Sequence, residues 1–255
     1  MAGKRVLRKP TTPDPSSSED RANPPATLND HPFFGMKLDG EQIAFRDAIW
    51  SPDKLIVFCN ARAGTGKTTI AVMTAELLYR HGRYDGIVYI SAPVQEGRIG
   101  FLPGSAQDKI AVYSEPFYQA ALKAGINPYT AIRQDSIQSQ KDGLAYIDCI
   151  SHNYLRGCNF ENKVVICDEA QNYYTDELKK TLTRASDSCK LIVIGHTGQI
   201  DLYKHPENSG FARYIEHFSG QPYAAVCQLT HNYRGAVSTH ADALPTQTER
   251  TPNGE

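Results

Sequence analysis

The stretch CNARAGTGKTT, residues 59–69, closes as a phosphate-binding loop does, with Gly64, Gly66, Lys67 and Thr68 all in register. It follows the apolar run KLIVFC (residues 54–59) and opens a helical pattern from about Lys67 to Arg80. In that setting the backbone N–H groups of Ala63, Gly64, Thr65, Gly66, Lys67 and Thr68 can point into one concavity, with Thr69 completing the cofactor-binding stretch. The helix N-terminus adds partial positive charge, so a triphosphate such as ATP is favoured there. Lys67 is expected to reach the β- and γ-phosphates and the Thr68 hydroxyl to ligate Mg²⁺. One residue breaks the pattern: Ala61 stands where the first glycine is usual. A positive φ at that position would cost a side chain about 1–2 kcal/mol, which is small beside the binding energy of a triphosphate. A bare glycine-rich turn is the competing reading, and the register of the four residues argues against it.

Outward from the loop, short apolar runs alternate with helical patterns. They are GIVYIS (residues 86–91), LAYIDCI (144–150), KVVICD (163–168), KLIVIG (190–195) and AAVCQL (224–229), with a helix near Asp176 to Ser186. Uniformly apolar strands separated by helices predict a parallel sheet covered on both faces. The expected class is α/β, a P-loop NTPase with a RecA-like, mostly parallel sheet. Ligands of such sheets sit beyond the carboxyl ends of the strands, where each further motif falls.

The run KVVICDEAQN (residues 163–172) delivers Asp168 and Glu169 at a strand end. Two adjacent acids there suit a division of labour: Asp168 holds Mg²⁺ through water, and Glu169 orients or deprotonates the attacking water. Activated water makes hydrolysis the expected reaction rather than transfer to another hydroxyl. Past the next strand, in KLIVIGHTGQIDL, Gln199 is positioned to bond a γ-phosphate oxygen and that water. In LTHNYRGAVSTHAD, Arg234 is the candidate to stabilise charge on the transferring phosphoryl group. The predicted catalytic set is therefore Lys67, Glu169, Gln199 and Arg234, and the metal set Thr68 and Asp168.

The 255 residues, 40 % hydrophobic, suffice for one substantial core. A formal net charge of -1 gives no overall field toward nucleic acid or an acidic membrane, so such binding must be local. The apolar runs are strand-sized, and no apolar leader follows the start; no membrane association and a cytoplasmic location are expected. The six cysteines (Cys59, Cys149, Cys158, Cys167, Cys189, Cys227) form no C-x-x-C pair and read as small buried hydrophobes. Residues 1–30, rich in Pro, Ser and charge, are expected to form a disordered tail, with Lys4, Arg5, Arg8 and Lys9 a solvated charge run. Residues 31–244 form the single ATPase domain in this reading, and residues 245–255 a second flexible tail.

Together these blocks resemble the PhoH family, phosphate-starvation-inducible proteins similar to a single helicase-type ATPase core of superfamily one. The resemblance runs from about Gln42 to Asp242 and rests on ARAGTGKT, DEAQN, GHTGQIDL and the family-specific block GFLPGSAQDKI from Gly100. It implies binding and hydrolysis of ATP and, in some members, RNA unwinding. It also implies that Gln42, in LDGEQIAFRDAI, reads the adenine edge; by composition Gln42 is merely polar on an amphipathic helix. Three departures stand out: Arg62 replaces the loop proline, His196 the aspartate of the third motif, and Ala92 an arginine for which Arg98 is the candidate substitute.

A helicase moves strands by closing two ATPase lobes, and this chain has room for one. A homo-oligomeric ring is therefore expected, a neighbour's arginine completing the site. Single-stranded RNA or DNA is the expected partner. Tyr173 and Tyr174 with Lys179 and Lys180, or Tyr113, Phe117 and Tyr118, could form a stacking platform, although core packing is the preferred reading of the aromatics. Two rival functions remain: a nucleotide-gated RNA-binding switch with incidental turnover, and a nucleoside kinase, which is expected to carry zinc-binding cysteines.

Overall fold

The computed structural model describes residues 24–29, 32–92, 114–133, 145–152, 155, 157–200, 202 and 208–243. Each of the six apolar runs forms a strand: β1 (Ile56–Ala61), β2 (Ile87–Ser91), β3 (Ile147–Ser151), β4 (Val164–Asp168), β5 (Lys190–Gly195) and β6 (Ala224–Leu229). They make one sheet in the order β3-β2-β4-β5-β1-β6, and every neighbouring pair is parallel. Burial on both faces is what makes the runs uniformly apolar. Val57 and Cys59 of β1, Ile166 of β4 and Ile192 and Ile194 of β5 pack on one face. The alternate residues Ile56, Phe58, Val165, Cys167 and Val193 pack on the other.

The first face is covered by α1 (Gly40–Trp50), α2 (Lys67–Arg80) and α3 (Glu115–Lys123), with the short α4 (Pro128–Ala131) beside them. The second is covered by α5 (Thr175–Leu182) and α6 (Gly210–Phe218), through Leu178, Leu182 and Phe211. The helix α7 (Ala236–Asp242) follows β6. Because β5 lies between β4 and β1, the carboxyl ends of these three strands are neighbours, and the segments leaving them share one rim.

The helix expected to reach Ser186 stops at Leu182. The following residues are drawn into pairing with Phe160, whose N–H donates to Arg184 O (2.8 Å) and whose carbonyl accepts from Ser186 N (3.0 Å). The expected tail of residues 1–30 is also corrected, since residues 24–29 lie on the domain. Leu28 is buried, Trp50 Nε1 donates to Pro25 O (3.0 Å) and Arg46 Nη2 to Asn29 Oδ1 (2.9 Å). Burial of Leu28 and these bonds offset the ordering entropy that composition alone could not. Residues 1–23, with their basic cluster, and 244–255 lie outside the described residues, as do Arg98, the block from Gly100 and Tyr113.

Tyr173 and Phe117 are core residues with no exposure, so neither offers a stacking face; Tyr173 OH donates to Ile90 O (3.3 Å). Tyr174 and Tyr118 are half-buried, and Lys179 and Lys180 are exposed. All six cysteines are free; Cys59, Cys167 and Cys189 are buried and the other three half-buried. Among the described residues no helix is long and apolar enough to cross a membrane.

Lys190 opens β5 with its side chain fully inside, Nζ donating to Ser51 O (2.6 Å) and to Lys54 O. Burial, with Arg83 nearby, pushes the ammonium from 10.5 down to about 7. A depressed base binds fewer protons folded than unfolded across that window, so stability rises with pH. Denaturant titrations between pH 7 and 9.5 should show the wild type gaining on Lys190→Met by on the order of 1 kcal/mol per pH unit. A flat difference would show that the buried amine does not titrate in this range.

Candidate active site

Ala61 is the last residue of β1, paired in register with Leu229 of β6 and buried. Positive φ occurs among the described non-glycine residues at Phe34, Asn162 and Glu169, so Ala61 carries no such strain. The glycine requirement falls instead on Gly64. Its φ is +75°, and a Cβ there would lie 2.3 Å from Asn232 Oδ1 and 3.0 Å from Arg234 Cγ. The loop is braced from within by Thr65 Oγ1, which donates to Arg62 O (3.0 Å), while the Arg62 side chain is exposed. Ala63, Gly64, Gly66, Lys67, Thr68 and Thr69 are half-buried around the start of α2.

Thr68 Oγ1 donates to Asp168 Oδ2 across the rim (2.9 Å). Tyr89 OH, from β2, donates to the same oxygen (2.8 Å), and the N–H of Glu169 to Asp168 Oδ1 (2.8 Å). Asp168 is 1 % exposed; burial and then the charge of Glu169 raise its pKa, against Lys67 and the Tyr89 and Thr68 hydroxyls pulling it down. Glu169 takes a left-handed conformation (φ 51°, ψ 42°), at a cost of about 1–2 kcal/mol, which turns the chain into the 3₁₀ turn Ala170–Asn172. Its Oε1 lies 3.4 Å from Lys67 Nζ. Lys67, Thr68, Asp168 and Glu169 are thus assembled from two segments a hundred residues apart.

The remaining predicted residues lie around this group. Gln199 is half-buried in the turn leaving β5, its N–H donating to His196 O (3.1 Å). Arg234 is exposed and lies against Gly64, beside the loop; the adjacent Tyr233 N donates to Gly64 O (3.0 Å). Gln42 is 4 % exposed, and its amide is engaged inside the chain. Nε2 donates to Thr65 O (2.9 Å) and Oε1 accepts from Asp39 N (3.2 Å), so Gln42 braces the phosphate loop as well as capping α1.

Three residues of the site escaped the sequence reading: Tyr89, Asn60 and Gln171. Asn60 ties the end of β1 to the turn after β5, accepting from Thr197 N (3.1 Å) and donating to Thr197 Oγ1 (3.0 Å). Gln171 Nε2 donates to Glu169 Oε2 (2.6 Å) and Oε1 accepts from His196 N (3.0 Å). The replacement of the third-motif aspartate by His196 leaves this contact intact, because it uses the backbone. Gln171 lies inside the block DEAQN, which was given no role for its glutamine, and that block is the sequence signal that could have marked it.

The PhoH-like protein family model matches residues 37–238. This chain belongs to the PhoH-like family. Protein PhoH2 of Bacillus subtilis is 33 % identical over 223 residues, covering 85 % of this chain and 49 % of its own. Protein PhoH of Escherichia coli is 29 % identical over 212 residues, covering 78 % and 57 %. The chain therefore spans about half the length of the curated relatives it matches. Among solved structures, the Pif1 helicase of Candida albicans aligns with a TM-score of 0.36 and 16 % identity over 78 % of this chain and 41 % of that one. Family membership and the all-parallel sheet agree with the expected fold class.

Asp168 supplies a second linkage test, now at the site itself. Its folded pKa lies above 3.8, so stability that is full below that value is lost as pH rises through the folded value. Denaturation of wild type and Asp168→Asn between pH 4 and 7 should show the wild type losing ground to the variant as pH rises. A constant difference would mean the carboxyl titrates normally.

Proposed function

We propose that this chain hydrolyses Mg-ATP, and that hydrolysis is coupled to single-stranded RNA or DNA in a homo-oligomer. The observation that carries the reading is the Thr68 hydroxyl on the Asp168 carboxylate at 2.9 Å, which joins a phosphate loop to a buried acid. These are hard oxygen donors of the kind Mg²⁺ takes, and they fit the metal. Thr68 would ligate it directly. Asp168, whose oxygens already accept three hydrogen bonds, would do so through water. Bound Mg²⁺ would neutralise charge on the phosphates.

In this reading the amides of residues 63–69 cradle the phosphates, and Lys67 moves from Glu169 onto the β- and γ-phosphates. Glu169 holds the attacking water and takes its proton, with Gln199 as second orienting group. Arg234, exposed beside Gly64, meets the γ-phosphate in its own chain or serves a neighbour in a ring. Gln42 would offer its second amide hydrogen to the adenine edge.

Turnover by the full chain, with and without single-stranded RNA across a salt series, tests the proposal. Glu169→Gln should lower kcat roughly 100-fold or more, while calorimetry finds Mg-ATP bound at least as tightly, since Glu169 no longer competes for Lys67. Lys67→Ala should weaken binding itself. No heat on adding Mg-ATP to folded wild type would overturn the ATPase reading. A rate indifferent to RNA and to protein concentration would remove the nucleic-acid and shared-site parts alone.

A further inference from the structure

Gln171 is 1 % exposed and makes two hydrogen bonds that no fold requirement demands of one side chain. Its Nε2 meets Glu169 Oε2 at 2.6 Å, and its Oε1 receives the N–H of His196 at 3.0 Å. The first partner stands at the end of β4 and the second at the end of β5, where the turn closed by Gln199 N on His196 O begins. The backbone of Gln171 is fixed as well, its carbonyl accepting from Ser209 Oγ (2.7 Å) at the start of α6. Space around its amide is closed: a Cβ on Gly195 would fall 2.6 Å from Gln171 Oε1 and 3.1 Å from Gln171 N. The amide is therefore held in one orientation, donor toward Glu169 and acceptor toward β5.

Glu169 needs such a hold. It sits in a strained left-handed conformation, its carboxylate is 41 % exposed, and its other contact is Lys67 at 3.4 Å. When a triphosphate draws Lys67 away, Gln171 is the described donor left on that carboxylate. We propose that Gln171 is a positioning residue, fixing the Glu169 carboxylate at a set distance from the turn that carries Gln199, so that both water-orienting groups act on one water. This rests on the hydrolytic reading above. The chemistry needs it because a misplacement of about 1 Å in a water-activating group costs on the order of a hundredfold in rate.

The test uses the full chain. Gln171→Asn keeps a neutral amide but is too short to span both partners; Gln171→Glu keeps an acceptor for His196 N and loses the donor to Glu169. Both should lower kcat by about tenfold to a hundredfold, with the KM for Mg-ATP within about threefold of wild type. In single-turnover measurements on Glu169→Ala, adding Gln171→Asn should slow the residual rate less than about twofold, since its effect runs through the missing carboxylate. A residue that merely tied β4 to β5 would cost the same factor in both backgrounds, and that result overturns the proposal. Variants matching an active wild type overturn it too. A wild type without ATP turnover removes the hydrolytic reading, and this inference with it.

Discussion

One buried carboxylate constrains the arrangement of the rim. Asp168 accepts hydrogen bonds from the first turn of α2, from β2 and from its own successor, so three segments must stay in fixed relation to keep it satisfied. A charge held at 1 % exposure would otherwise cost several kcal/mol in lost hydration. Apolar packing of β2, β4 and α2 brings the segments near one another but tolerates small shifts. The hydrogen bonds to Asp168 tolerate far less, and they convert a generic parallel sheet into a site with defined distances.

Around that fixed point the site is unevenly rigid. On the β4 and β5 side, close approach at Gly195 and the strained turn at Glu169 lock the backbone. On the β6 side the segment after the strand is held at its margin by exposed contacts. Thr230 N donates to Glu41 Oε2 (2.7 Å), Tyr233 OH bonds Asp39 Oδ2, and Tyr233 N bonds Gly64 O. Such contacts lie near water and exchange readily, so this side can shift at modest cost. Arg234 stands on it.

How far the sequence could be read follows from the range of the forces involved. The six strands and α2 were legible because uniform apolar runs, and a helix opening on the loop, are local signals of burial. That Thr68, Asp168 and Glu169 would meet on one rim was legible because a phosphate loop and an acidic strand end both fall beyond the carboxyl ends of parallel strands. Tyr89 was hidden, since a tyrosine in an apolar strand looks like core until its hydroxyl is traced to a carboxylate 79 residues on. Leu28 read as part of a loose tail, and the burial of Lys190 went unseen, because both depend on segments that local pattern does not name. Gln42 shows a subtler gap: its place on a helix was evident, while its bond to Thr65 O needed the packing of α1 against the loop.

On the proposed reading, the Lys67 and Glu169 pair links this geometry to turnover. At 3.4 Å, with the side chains 14 % and 41 % exposed, it is a loose ion pair that water screens, and a polyanion in the loop outcompetes one carboxylate for the ammonium. On the proposed reading, transfer of Lys67 to phosphate leaves the Glu169 carboxylate held by Gln171. Occupancy of the loop and readiness of the carboxylate are then one event, because a single lysine serves both. On the same reading Gln171, which also accepts from His196 N, keeps that carboxylate in register with the turn of Gln199.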